Sequence, residues 1–293
     1  LGVSVTFANV QTQISQRFSL AAPMSRREIF LWVTVALLAN EIFQLVDAQS
    51  PYSFVESLGN QNFILWLAGY AFVFRLWVSS RDRPADRLDF WFAAATCLAI
   101  LITSLVPHRW GIGLVATTTA AYLLLTHRGD RNLRAGGCVL LAMSTHLVWG
   151  PIIFLLVTPE VVQGDAFAVA GILKVLRPDI IWRDTTFYTP DGHGLILIGA
   201  CSSFQNVSTA LLACATVAML SRTEWRSRDI ITIALAALAM VFINTVRLCL
   251  IAWSGPLFKY WHDGYGVTIF IFSETVIVLL IAWRGAAAGG HEK

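Results

Sequence analysis

The sequence has 293 residues, of which 56% are hydrophobic and only 13% charged, with 21 Lys and Arg against 18 Asp and Glu. Soluble domains carry about twice that share of charge, roughly 25%, and a water-soluble chain of this length could not cover its surface with so little. This excludes a soluble enzyme and a disordered scaffold. The mild positive balance does not point to nucleic acid, because no basic run exceeds two adjacent residues.

A mean hydropathy of +0.65 points instead to a polytopic, all-α membrane protein. Residues 1–24 are polar and weakly periodic, and lack the basic flank, apolar core and cleavage site of a signal peptide. They are expected to be a disordered tail or to precede a mis-assigned start, since Met24-Ser25-Arg26-Arg27 stands just ahead of the first apolar run. Residues 25–293 read as one integral membrane domain. Apolar windows lie at about 29–46, 62–79, 88–106, 110–126, 136–158, 202–221, 229–254 and 265–284, which predicts about eight transmembrane helices.

The basic residues orient these spans. With the amino end in the cytoplasm, the inner segments hold Arg17, Arg26, Arg27, Arg81, Arg83, Arg87, Arg128, Arg131, Arg134, Arg222, Arg226, Arg228, Arg284 and Lys293. The outer segments hold only Arg109, Lys174, Arg177, Arg183 and Lys259. This bias follows the positive-inside rule and puts both termini in the cytoplasm. The longest loop, about 159–201, is then outside. Its stretch from Ala166 to Arg177 is amphipathic and is expected to lie on the membrane surface. Ile180 to Ile198 reads as a hairpin, with its turn at Thr189-Pro190-Asp191-Gly192, and it delivers the chain to Cys201.

Polar groups at membrane depth are costly and default to functional candidates. Arg75, near the inner end of span two, is expected to snorkel to the interface. His146 is expected to be an interhelix hydrogen-bond partner. Glu41 and Glu274 either pair with a cation or bear a proton, as in coupled transport. Arg247 cannot lose its proton and needs an anion or water; its span runs outward, which puts it near the outer face, with Asn244 on the same helix face. Ser202-Ser203-Phe204-Gln205 fits a capping box, so a helix is expected to start at Ser202 with Cys201 just before it, where the helix dipole favours a thiolate. Cys97, Cys138, Cys214 and Cys249 lack that setting and read as small hydrophobes. His262 lies in the short outer loop before the last span. A thiol, a guanidinium and an imidazole thus gather at one membrane face, a set suited to acyl transfer. No C-x-x-C or H-E-x-x-H occurs, so neither a metal nor another cofactor is expected.

At these residues the chain resembles the exosortase/archaeosortase family of membrane-embedded cysteine transpeptidases. Ala200-Cys201-Ser202, Asn244-Thr245-Val246-Arg247 and His262 followed by Gly266 resemble its A-C-S-G, N-x-x-R and H-x-x-x-G signatures, in the same order. The specific part of the likeness covers about 150–284. Two positions depart from the pattern: Ser203 stands where the family has Gly, and Gln205 and Asn206 stand where it often has Arg.

The resemblance implies an enzyme at the outer face of the cell membrane. Its partners would be secreted proteins with a carboxy-terminal sorting signal and transmembrane helix, a lipid or glycan acceptor, and membrane lipids. Cys201 would form a thioester, His262 would protonate the leaving amine, and Arg247 would hold an oxyanion or a substrate carboxylate. Asn244 would orient Arg247 and Asp263 would bias His262 toward its charged form, with Ser202, Gln205 and Gly266 in supporting places. The contrasting expectation is a transporter or polysaccharide-export component without thiol chemistry, resting on Glu41, His146 and Glu274.

Overall fold

In a computed structural model, residues 24–47, 63–78, 84–105 and 109–288 are described. The expected amino-terminal tail and the side chains of Glu41 and Gln205 lie outside the described residues. Helices occupy every apolar window: α1 Arg26–Asp47, α2 Phe63–Val78, α3 Arg87–Ser104, α4 Arg109–Thr126, α5 Arg131–Leu176, α6 Phe204–Ser221 and α7 Ser227–Trp253, then a short α8 Gly255–Phe258 and a final α9 Tyr265–Ala287. Four of them, α3, α5, α7 and α9, are long and apolar enough to cross a membrane, while α2 and the stretches Gly111–Thr126 and Asn206–Ser221 are shorter. The chain is an all-α integral membrane protein.

Its packing runs opposite to that of a soluble fold. Large apolar side chains such as Trp32, Leu101, Leu156, Ile230, Phe242 and Phe272 face outward, more than half exposed. Inside, alanines fill the core: Ala68 and Ala71 of α2, Ala120 of α4, Ala135 of α5, Ala210 and Ala213 of α6, and Ala236 of α7 are fully buried. Lipid removes the hydrophobic drive between helices, so close backbone approach and dispersion hold them together. Cys97 follows the outward pattern and is exposed on α3, not buried as its apolar surroundings suggest.

The predicted fifth span, 136–158, is part of a continuous helix of 46 residues. Asp130 caps its start, accepting from the backbone N–H groups of Asn132 and Leu133 at 3.0 and 3.1 Å. A π-helical turn over Thr145–Trp149 and Pro159 interrupt its ladder without ending it. The amphipathic stretch after Ala166 is therefore not a separate surface helix. Its stripe of Val162, Ala166, Val169, Ala170 and Leu173 has helical spacing and finds a protein partner, so it needs no lipid surface. That partner is a second core, made by Phe187, Leu195 and Leu197 of the following sheet and by Leu248, Ile251 and Ala252 of α7.

The sheet is an antiparallel meander of β1 Ile181–Arg183, β2 Thr186–Tyr188 and β3 Gly194–Ile196. Phe187 pairs with Leu195 across the second hairpin and both point into the core. Its turn closes with Gly192 at φ +84°, a conformation natural to glycine, and Thr189 bonds both backbone groups of His193.

Buried polar groups fasten the other end of the bundle. Arg26 at the start of α1 pairs with Asp86 and Asp89, and Tyr122 of α4 donates to Asp89 at 2.7 Å. Arg131 at the start of α5 meets Glu224, just past α6, at 3.1 Å. Arg75 does not snorkel. It is buried, and donates to the carbonyls of Met219 and Leu220 at 2.5 and 3.1 Å and to Asn132 at 3.0 Å. The last carbonyls of α6 have no partner within their own helix and carry the negative end of its dipole, so a guanidinium is better placed there than at the interface. Replacing it with an apolar isostere, Arg75→Met, should destabilise the protein by about 1–3 kcal/mol, read as a lower unfolding midpoint in detergent. Arg75→Lys should recover only part of the loss, because one ammonium cannot serve three acceptors held in a fork.

Candidate active site

At the opposite end of the bundle, the chain leaves β3 and makes a 3₁₀ turn over Gly199–Cys201 before α6. The helix starts at Phe204, two residues later than the S-x-x-Q pattern predicts, with Ser203 as its N-cap residue. The expected capping by Ser202 takes another form, since its Oγ accepts from the Phe204 N–H at 3.2 Å. Ser203 turns away from the helix altogether. Its N–H donates to Asp165 of α5 at 3.0 Å, and its hydroxyl donates to the other carboxylate oxygen. An outside acceptor thus overrides a local capping pattern.

Four consecutive backbone N–H groups, from Cys201 to Phe204, are engaged. The N–H groups of Cys201 and Ser202 bond the carbonyls of Ile198 and Gly199 at 2.8 and 3.1 Å. Those of Ser203 and Phe204 go to Asp165 and Ser202. The Cys201 carbonyl accepts from the Asn244 side-chain amide at 3.0 Å. Asn244, expected to orient Arg247, therefore grips the cysteine turn itself. It is buried on α7 in the inward row that also holds Met240 and Leu248.

Arg247 stands one turn further along α7. Its Nε–H is buried and has no hydrogen-bond partner among the described residues. Glu274 of α9 lies within reach of its field and accepts from Asn206 of α6 at 3.1 Å. His146, on the π turn of α5, meets the hydroxyl of Ser208 at 2.9 Å, an interhelix contact of the kind expected.

His262 is not on an irregular loop. It sits on a π-helical turn, Lys259–Asp263, that continues α8. Its Nδ1 meets the Asp263 carboxylate at 2.7 Å, which makes Nδ1 the protonated nitrogen and leaves Nε2 for chemistry. Its ring stacks on Phe258 at 4.6 Å. Phe258 in turn touches the ring of His193 at 5.5 Å, and His193 Nε2 donates to the Ile251 carbonyl at 3.0 Å. The sheet turn is thereby linked to the turn that carries His262. Arg177, just past α5, adds a second tie. It donates to the Trp253 carbonyl at the end of α7 and pairs with Asp179 at 3.3 Å and Asp191 at 3.9 Å. Hydrogen bonds from Thr189 and the backbone, and then the Arg177 charge, hold the Asp191 carboxyl below its usual range.

Cys201, Phe258 and Trp261 each pack against the second core, whose buried members Leu248 and Cys249 are the chain neighbours of Arg247. Asp165, Arg177 and His193 were not singled out by the sequence. Asp165 is the acid on the buried stripe of α5, but only its partner across 38 positions gives it a role. Gly266 has a steric reason. A Cβ there would lie 2.7 Å from the Tyr260 carbonyl oxygen and 2.8 Å from Trp261 Cα, so α9 could not close on the His262 turn. Gly266→Ala should destabilise by about 1–3 kcal/mol. Gly171→Ala, on α5 with nothing within 4 Å of its Cβ, should leave the unfolding midpoint unchanged or raise it.

A transmembrane exosortase family model matches residues 55–280, a stretch that holds α2 through most of α9 and every residue of this site. No curated protein and no solved structure matches the chain. With most of its length matched, the chain belongs to the transmembrane exosortase family.

Proposed function

We propose that the protein is a membrane cysteine protease and transpeptidase of exosortase type. It crosses the membrane eight times with both termini in the cytoplasm. At the outer face it cleaves the carboxy-terminal sorting signal of secreted proteins and transfers them to a lipid or glycan acceptor. The observation that carries this reading is the unpartnered, buried Nε–H of Arg247, one helical turn from the residue that grips the Cys201 turn.

The chemistry follows from the groups present. The Cys201 thiolate attacks the scissile carbonyl carbon, and the carbonyl π electrons move to oxygen. With the N–H groups of Cys201 to Phe204 engaged, the developing oxyanion takes its hydrogen bond from Arg247, whose charge also offsets the new negative charge. Collapse of the tetrahedral adduct breaks the C–N bond. His262, oriented by Asp263 through Nδ1, gives its Nε2 proton to the leaving amine. The product is a thioester on Cys201 and a free helix-bearing tail. The acceptor hydroxyl or amine then loses its proton to His262 and attacks the thioester, which expels the thiolate.

A secreted reporter fused to carboxy-terminal segments from the same genome, each with a short motif, a transmembrane helix and a basic tail, tests this reading. Cys201→Ala should abolish cleavage and the thioester adduct seen by mass spectrometry, while Cys214→Ala and Cys249→Ala, both buried, should keep both. Full cleavage by Cys201→Ala would overturn the proposal. Arg247→Lys should lose about 10²–10³-fold in turnover, the usual cost of one oxyanion donor, because an ammonium cannot reproduce the directed Nε–H. Wild-type turnover in Arg247→Lys would reduce Arg247 to an anchor.

A further inference from the structure

We propose that Asp165 is a positioning residue that holds the Cys201 turn through Ser203; this rests on the reading of Cys201 as nucleophile. Asp165 is 8% exposed, near the far end of α5, and its two carboxylate oxygens take the two donors of Ser203, one each. A buried carboxylate is tolerable only when its lone pairs are met, and two charge-assisted bonds to one residue meet them with directional precision. From the other side, Asn244 of α7 holds the Cys201 carbonyl. The nucleophile's turn is thus fixed at two points, two residues apart, by two different helices.

The arrangement gives up something local. A serine at the N-cap ordinarily accepts an N–H from the first helical turn, and Ser203 makes no such bond. Its hydroxyl serves the anchor instead. A glycine, which the resemblance places at this position, offers Asp165 only the backbone N–H. The second bond is a property of this chain's own serine. The consequence is geometric, since a misplacement of about 1 Å at a reacting atom can lower the rate about 10²-fold.

The test uses the full-length protein in lipid nanodiscs and the same reporter. Asp165→Ala should lower kcat by about 10–10²-fold with KM unchanged. Asp165→Asn keeps an acceptor oxygen for Ser203 and should recover most of that loss. Ser203→Ala should cost less than Asp165→Ala, and the double variant should be no worse than Asp165→Ala alone, because the two residues act as one unit. Wild-type kcat in Asp165→Ala, or losses that multiply in the double variant, would overturn the proposal. A readout without cleavage is the alkylation of Cys201 by iodoacetamide, followed by peptide mass spectrometry. Its rate should rise several-fold in Asp165→Ala and return in Asp165→Asn, and unchanged rates would also overturn the anchor. If Asp165→Ala does not fold, the Ser203→Ala and Asp165→Asn rates decide. If Cys201→Ala still cleaves the reporter, the thiol mechanism falls while the alkylation rates still judge the anchor.

Discussion

The hydrogen bond from the Asn244 amide to the Cys201 carbonyl joins the two helices that carry most of the site. The carbonyl lies before α6 begins, outside any helical ladder, and in a low-dielectric interior it needs a donor. Asn244 is buried and equally needs an acceptor. Their meeting at 3.0 Å sets the register of α7 against the start of α6. A slip of one residue along α7 would turn the amide by about 100° and break the bond. Arg247 inherits that register, because it stands on the same helix one turn on. The placement of the guanidinium relative to the thiol is thus a by-product of satisfying two ordinary polar groups.

The bilayer makes such satisfaction strict. Where no water can stand in, each buried donor or acceptor must find protein. Arg75 closes the last carbonyls of α6, Asn40 donates to the Ile100 carbonyl between α1 and α3 at 2.8 Å, and His146 meets Ser208 between α5 and α6. The Nε–H of Arg247 is one of five buried side-chain polar atoms among the described residues that have no hydrogen-bond partner, with Arg27 Nε, Asn40 Oδ1, His127 Nε2 and Thr216 Oγ1, and it is the one of the five within the three sequence motifs. The alanine-rich interior lets the helices come close enough for these short side chains to reach one another.

The sequence made the helices legible because lipid-facing apolarity is a compositional signal that needs no partner. It also carried the family likeness, through the short motifs at Cys201, Arg247 and His262. It misread features whose meaning lies in a distant residue. Arg75 looked like a snorkelling side chain because depth along a span reveals the cost of a charge but not the carbonyls that offset it. The S-x-x-Q pattern placed the start of α6 too early because Ser203 answers to Asp165 instead of its own helix. The stretch after Ala166 looked like a surface helix because an apolar stripe does not say whether lipid or a small sheet will cover it. His262 looked like a loop residue because a π turn has no clear local signature.

The length of α5 has a mechanical consequence. The helix meets the chain around α6 at two levels, through the exposed ion pair of Arg131 with Glu224 just past α6 and through the buried bonds of Asp165 with Ser203. Roughly 51 Å of helix separates Arg131 from Asp165, whereas α6 is only roughly 27 Å long. A straight rod laid along α6 would overshoot by roughly 20 Å. Along that length the ladder is broken at two points, the π turn Thr145–Trp149 and Pro159. The segment beyond Pro159 carries both Asp165 and the apolar stripe that packs against the sheet. A change of angle at Pro159 would therefore carry Asp165 and the sheet together, so the anchor of the cysteine turn and the sheet beside it keep one mutual placement.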